Sequence, residues 1–356
     1  MWALNFLVVL LIPTVILGIC YLFWHRAYSL REVAIQFGVQ LLICGVIFLL
    51  TFNWNLMDTE LWNGRVTGKE RKVVPCSHTY TCNCHPCGKN STCCSICHLH
   101  AYDVDWRVYT TAGETFNIAR VNLQGTIEPK RWTSTKIGEP VCSEHSYKNY
   151  IKANPENLQI QKGWKEKFKN KLIKYPIKVY DYWHCNRVIN VANSKAVDNT
   201  WNTTLEEMLG DLGPKKKCNV AIVILRDEDP MIYYALREDW IGGKKNDIIP
   251  IISVDDNDNI QWVQVMTFAK NDMINITLRD NIMDIKQLTK DKLFDILKKD
   301  ITEQYTRKSM EDYKYLAETR ALSNTQLMWL IIICTLISIG LSIYFIKNDE
   351  TDDTIY

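Results

Sequence analysis

Three uncharged apolar runs decide what this chain can be. Residues 1–24 and 326–346 carry no charged side chain, and residues 33–52 admit only Gln36, Gln40 and Thr51 as polar members. About 20 apolar residues span ~30 Å of hydrocarbon as helix, so each run is long enough to cross a bilayer. Taken whole, the composition (47% hydrophobic, 23% charged, net charge +2) hides this, because it averages spans with a polar remainder. Residues 1–24 do not read as a cleaved leader: they have no basic start and no small-x-small cleavage site. Buried amides such as Gln36 and Gln40 are expected to face another helix. Disorder, a collagen-like chain and a membrane-free cytosolic enzyme are excluded.

Orientation follows from the placement of basic residues, which stay cytoplasmic. The short turn 25–32 holds Arg26 and Arg31, while the residues after the second run begin Asn53-Trp54-Asn55-Leu56-Met57-Asp58 without a base. The turn is therefore expected inside and residues 53–325 outside, with Arg307, Lys308, Lys314 and Arg320 before the third run as the opposing signal. An acidic tail, 347–356, follows that run. The charge of the middle is nearly balanced, so nothing points to nucleic acid.

Residues 53–198 read as a Cys-rich, mainly β subdomain. Residues 55–75 are polar and turn-rich, with Gly64 and Gly68. After the cysteine cluster, Val104, Trp106 and Val108 alternate with charged residues up to the Ala112-Gly113 turn, which marks a β-hairpin. Residues 181–190 form a further strand, preceded by a short helix from 164. Residues 199–300 change character. Contiguous apolar runs at 219–225 and 248–254 read as buried strands, with helices at 205–212 and 233–240, a strand at 260–268 and a possible one at 274–278. Apolar positions recur at helical spacing from Ile285 to Ile301 and lead into a helical stalk, 301–325.

Ten of the thirteen cysteines lie in the middle: Cys76, Cys82, Cys84, Cys87, Cys93, Cys94, Cys97, Cys142, Cys185 and Cys218. Two readings are open for them. Outside the cytoplasm thiols oxidise, and an even number allows complete disulfide pairing. Alternatively the CxxC pairs Cys84/Cys87 and Cys94/Cys97, with His98 and His100, offer sulfur and nitrogen ligands at the spacing of a zinc site. Cys142 and Cys185 could pair with each other or with the cluster. Asp255, Asp256 and Asp258 in a turn supply oxygen ligands for Ca²⁺ or Mg²⁺, or are simply solvated. No nucleophile elbow, phosphate loop or HExxH is present.

Two resemblances add to this. Residues 58–71 (DTELWNGRVTGKER), the cysteine cluster and residues 147–155 (YKNYIKANP) resemble uncharacterised integral membrane proteins of large tailed bacteriophages. That resemblance implies a host inner membrane, with residues 53–325 periplasmic and an envelope or virion protein as partner. Over 200–300, the order helix, strand, Tyr234-Ala235-Leu236 on a helix, Trp240-Ile241-Gly242-Gly243-Lys244-Lys245-Asn246-Asp247, strand, hairpin, strand resembles the TPM domain, a membrane-tethered α/β module. Some of its members are described as phosphatases. The Gly-Tyr-Gly-containing stretch that usually follows the third strand is replaced here by Met266-Thr267-Phe268-Ala269-Lys270-Asn271-Asp272. The expected fold is thus three transmembrane helices with an exported α+β region, a Cys-rich β subdomain followed by a TPM-like α/β subdomain. The expected function is a non-enzymatic interaction module in the envelope. The alternative is a membrane-anchored, divalent-metal-dependent hydrolase, for which Asp247, Asp255 and Asp272 are the residues to test first.

Overall fold

The computed structural model describes residues 2–24, 29–54, 56–88, 91–151, 162–176, 178–227, 229–317 and 322–347. Most of the turn 25–32, residues 318–321 of the stalk, 152–155 of the second quoted stretch and the tail from 348 lie outside them. In chain order the elements are α1 (Trp2–Trp24), α2 (Leu30–Trp54), β1 (Met57–Val74), β2 (Thr79–Gly88), β3 (Ser91–His98), β4 (Asp103–Thr110), β5 (Thr115–Ile118), α3 (Lys130–Ser134), β6 (Pro140–Lys148), α4 (Trp164–Lys167), β7 (Val179–Tyr180), β8 (His184–Cys185), β9 (Val188–Asn190), α5 (Thr200–Lys216), β10 (Asn219–Val220), β11 (Ile222–Leu225), α6 (Ile232–Asp239), β12 (Asp247–Val254), β13 (Ile260–Thr267), α7 (Met273–Met283), α8 (Lys290–Gln304) and α9 (Asn324–Lys347), with 3-10 segments at Lys169–Lys171 and Met310–Ala317. They form two units, Met1–Asp58 with Ser146–Ile160 and Ser309–Tyr356, and Thr59–His145 with Gln161–Lys308.

In the first unit, α1, α2 and α9 are each long and apolar enough to cross a membrane. Leu4, Leu11, Leu42, Leu50 and Leu336 face outward, which suits contact with lipid. The polar intruders face inward. Gln36 Nε2 donates to Ser342 Oγ at 2.8 Å and to the Ser338 carbonyl at 3.1 Å. Ser338 Oγ donates to Gln40 Oε1 at 3.0 Å and to the Pro13 carbonyl at 3.3 Å. This network ties all three helices together where hydrocarbon offers no competing partner. Val9, Cys44, Phe48, Leu330 and Cys334 form the apolar seam beside it. Near the end of α2, Asp58 Oδ2 accepts from Tyr147 at 3.2 Å and from Asn149 Nδ2 at 2.9 Å.

The second unit holds two main sheets. One has the order β5-β4-β1-β6. Val104, Trp106 and Val108 point to one side and pack with Val66, Ile118, Val141 and Trp183, as their alternation predicts. The segment 55–75, expected as turns, is instead strand: β1 runs through it for 18 residues. Its inward positions include Asp58, Glu60 and Asn63, which are buried and polar, so the sequence shows no apolar alternation. Gly64 permits close approach, since a Cβ there would lie 2.5 Å from the Ala112 amide nitrogen.

In the other sheet β9, β11 and β12 are parallel, β10 extends β11 along β12, and β13 closes the far edge antiparallel. Val220, Ile222 and Ile224 face α5, α7 and α8, while Ala221, Val223 and Leu225 face α6 and the segment from Trp164 to Tyr175. Burial on both faces explains the contiguous apolar runs. Three expectations are corrected here. β9 belongs to this sheet, so the boundary at 198/199 divides a single core. Residues 274–278 lie in α7, whose Ile274, Leu278 and Ile282 are buried at helical spacing. Continuous helix does not extend through the stalk: α8 stops at Gln304 and a 3-10 segment follows.

Candidate functional site

Among the described residues β2 and β3 pair only with each other, and almost every residue in them is exposed. A lone two-stranded hairpin is marginal in water. This one is held by three nested disulfides, Cys82–Cys97, Cys84–Cys94 and Cys87–Cys93, with sequence separations of 15, 10 and 6. The CxxC segments are strand, not turns, and their sulfurs bond across the hairpin. The zinc set Cys84, Cys87, Cys94, Cys97, His98 and His100 is therefore not assembled, and among its members only His100 reaches a metal-binding group.

That group sits where the hairpin joins the four-stranded sheet. Cys76 and His78 lie between β1 and β2, His100 just past β3, and Asp103 opens β4. The Leu99 amide donates to the His78 carbonyl at 3.0 Å and closes the hairpin's foot. Asp103 is fully buried. Its Oδ2 accepts from the Ser77 amide at 3.0 Å, Ser77 Oγ at 3.1 Å and Arg120 at 2.9 Å. The Ser77 amide above all, then Arg120, hold this carboxyl well below the usual carboxylate range despite burial. Oδ1 is buried without a hydrogen-bond partner. The histidines turn Nδ1 toward it, His78 at 3.2 Å from Oδ2 and His100 at 3.4 Å from Oδ1. Cys76 Sγ lies 3.7 Å from His100 Nδ1 and 4.0 Å from His78 Nδ1. Cys76, His78, His100 and Asp103 thus form a group that could hold a metal ion. In the sequence Asp103 reads only as the polar phase of a strand. The spacings Cys76-x-His78 and His100-x-x-Asp103 are the signal that could have found it.

The remaining cysteines of the middle region, Cys142, Cys185 and Cys218, are buried. Cys142 and Cys185 lie side by side with Leu61, and Cys142 Sγ also donates to the Trp183 carbonyl at 3.1 Å. The Cys142 thiol beside it, then the Arg187 guanidinium, draw the Cys185 thiol below its ordinary range. Cys218 is enclosed in the α/β core, where burial pushes its thiol up to about 12. Among the other histidines, His145 stacks on Trp62 at 3.8 Å and His184 contacts Arg131 at 3.2 Å.

The three acids singled out from the sequence are not brought together. Asp247 opens β12 and lines a cavity of ≈ 200 Å³ with Glu60, Glu144, Tyr175 and Lys244. Its Oδ1 accepts from Asn219 Nδ2 at 2.9 Å, and its Oδ2 from the Lys244 amide at 2.8 Å and from the Tyr175 hydroxyl. Burial nevertheless pushes its carboxyl up. Asp255 lies just beyond the other end of β12, so at ~3.3 Å per residue it is roughly 26 Å away. It serves its own turn, accepting from the amides of Asn257 and Asn259 and from Asn259 Nδ2, each at 2.8 Å. Asp256 pairs with Arg226 at 3.0 Å, and Asp258 accepts from the Ala196 amide at 3.3 Å. Each of the three carboxylates expected to hold Ca²⁺ or Mg²⁺ thus has at least one oxygen engaged by a protein donor. Asp272 precedes α7 without capping it.

Compared with protein-family models, with curated proteins and with solved structures, the chain matches none.

Proposed function

We propose that this chain is a phage-encoded protein of the host inner membrane whose region 53–325 stands in the periplasm and works as an interaction module in the envelope. The observation that carries the reading is the ladder of three nested disulfides on an otherwise unsupported hairpin. Such bonds form and persist in oxidising compartments, which agrees with the basic turn lying on the cytoplasmic side. The hairpin also presents apolar side chains to solvent, with Ile96 at 75%, Leu99 at 53% and Tyr80 at 50% exposure. An exposed apolar strip on a rigid projection suits a protein partner in the envelope or virion. Thiol labelling of intact spheroplasts with a membrane-impermeant reagent tests the reading. Hairpin cysteines should label only after reduction, without permeabilisation; labelling before reduction, or only in permeabilised cells, overturns it.

A second reading, a membrane-anchored metal-dependent hydrolase of the TPM kind, is favoured by one observation: Asp247 shares its cavity with Glu60 and Glu144. The order of strands and helices from α5 to β13 supports the likeness. Phosphate release by the full chain with Mg²⁺, Mn²⁺ or Ca²⁺, abolished by Asp247→Asn, would replace the first reading. No turnover with any of the three metals removes the second.

A further inference from the structure

We propose that Cys76, His78, His100 and Asp103 bind one zinc ion tetrahedrally and clamp the foot of the disulfide hairpin. With Zn–N and Zn–O bonds of ~2.0–2.1 Å and Zn–S of ~2.3 Å, a regular tetrahedron has N···O edges of about 3.3 Å and S···N edges of about 3.6 Å. His100 Nδ1 lies 3.4 Å from Asp103 Oδ1 and the S···N distances are 3.7 and 4.0 Å; His78 Nδ1, 3.2 Å from the other carboxylate oxygen, completes a set of ligand atoms all within 4.8 Å of one another. Four side chains from two stretches of chain therefore already stand near the corners of a zinc polyhedron.

The carboxylate gives a second, independent indication. Ser77 and Arg120 pin one oxygen of Asp103, while the other is buried in the group without a hydrogen bond, His100 Nδ1 standing 3.4 Å away. A lone pair left unmatched inside a protein is costly, and a cation beside it removes the cost. Groups that hydrogen-bond a metal-binding carboxylate also fix its direction, and here Ser77 comes from between two of the ligands. Charge balances as well: one thiolate and one carboxylate neutralise Zn²⁺, and the two imidazoles are neutral.

The donor set selects the ion. Sulfur with two imidazole nitrogens suits zinc and disfavours Ca²⁺ and Mg²⁺, which demand oxygen. Four protein ligands leave no open position for substrate, so the ion is structural. Its place explains that role, because the ligands flank the hairpin on both sides. Cys76 and His78 precede β2, and His100 and Asp103 follow β3. The clamp fixes the direction in which the hairpin leaves the sheet, and it uses a cysteine outside the three disulfides.

The test is metal analysis of the full chain purified in detergent and dialysed against metal-free buffer, together with cobalt(II) substitution. One zinc per chain is expected, as is a cobalt spectrum with tetrahedral ligand-field and thiolate charge-transfer bands. Cys76→Ser and His100→Ala should lose the zinc, and His98→Ala should keep it. Arg120→Gln, which leaves all four ligands in place, should weaken zinc binding by roughly 10- to 100-fold. Wild-type protein that retains no zinc and gives no thiolate–cobalt band overturns the proposal, whatever the folding of the variants. So does zinc that survives in a Cys76→Ser protein with its three disulfides intact. A second zinc, lost in Cys84→Ser, would overturn the disulfide reading alone and leave this site supported.

Discussion

The parallel sheet and the disulfide hairpin of the same unit reach order by opposite means. Strands β11 and β12 are buried along their whole length, and their side chains are locked by helices on both faces. Strands β2 and β3 bury almost nothing and depend on covalent bonds. One region is held by removing apolar surface from water, which stabilises the folded state. The other is held by limiting the freedom of its unfolded state. Side-chain truncation should therefore hurt only the first, and reduction only the second.

The largest effect is expected from Trp201→Ala. This side chain is 1% exposed and meets the Phe294 ring edge-on at 5.8 Å, and removing an aromatic from such a core costs about 3–5 kcal/mol. Ile96→Ala on the hairpin should stay within about 0.5 kcal/mol. Urea unfolding followed by far-ultraviolet circular dichroism measures both. Comparable losses from the two would break the comparison.

Reduction is the reverse experiment. The outermost disulfide closes a loop with a separation of 15 residues, worth about 3 kcal/mol in the chain-entropy account. Dithiothreitol should expose residues 79–98 to limited proteolysis while 200–304 resists cleavage. Simultaneous cleavage of both segments would mean that the hairpin also supports the parallel core.

How much of this was legible follows from how local each constraint is. The membrane helices could be read because hydrocarbon excludes charge over a whole run. Strands 219–225 and 248–254 could be read because burial on two faces leaves no polar gaps. β1 could not, because Asn63 at a buried position is matched by Arg187 at 2.6 Å and by the Cys218 carbonyl at 2.9 Å, partners more than 120 residues away. Residues 274–278 look alike as a short strand or a helical stripe, and only packing against the sheet decides. An even number of cysteines permitted complete pairing but did not assign partners. The group at the hairpin's foot is half legible, since His100 reads as a ligand in the sequence, but the chain has to fold before Asp103 can reach it.

The membrane bundle tests whether polar contacts can do what packing does in the core. Gln36→Ala removes both bonds from Nε2 to α9. Interhelical hydrogen bonds of this kind average ~0.6 kcal/mol and reach ~2 kcal/mol. Detergent-denaturation midpoints should therefore fall by less than Trp201→Ala costs, and an equal loss would show that the polar network dominates the bundle.

The smallest effect separates two buried aspartates. Asp103 has its carboxyl lowered, chiefly by the Ser77 amide, so its contribution is complete above the ordinary carboxylate pKa and is lost only as pH falls through its depressed value. Asp247 has its carboxyl raised by burial, so its contribution is complete below the ordinary pKa and is lost as pH rises through the elevated one. As pH rises above the ordinary carboxylate pKa, Asp103 should therefore be silent while Asp247 costs stability as it ionises. The substitution Asp247→Asn removes that ionisation and keeps an acceptor for Tyr175 or the Lys244 amide. Urea midpoints above that pKa should fall with rising pH more steeply in the native chain than in the Asp247→Asn variant. Parallel profiles would mean that Asn219, Tyr175 and Lys244 together cancel the burial of the charge, and that the cavity beside β12 holds an ionised carboxylate at every pH above that pKa.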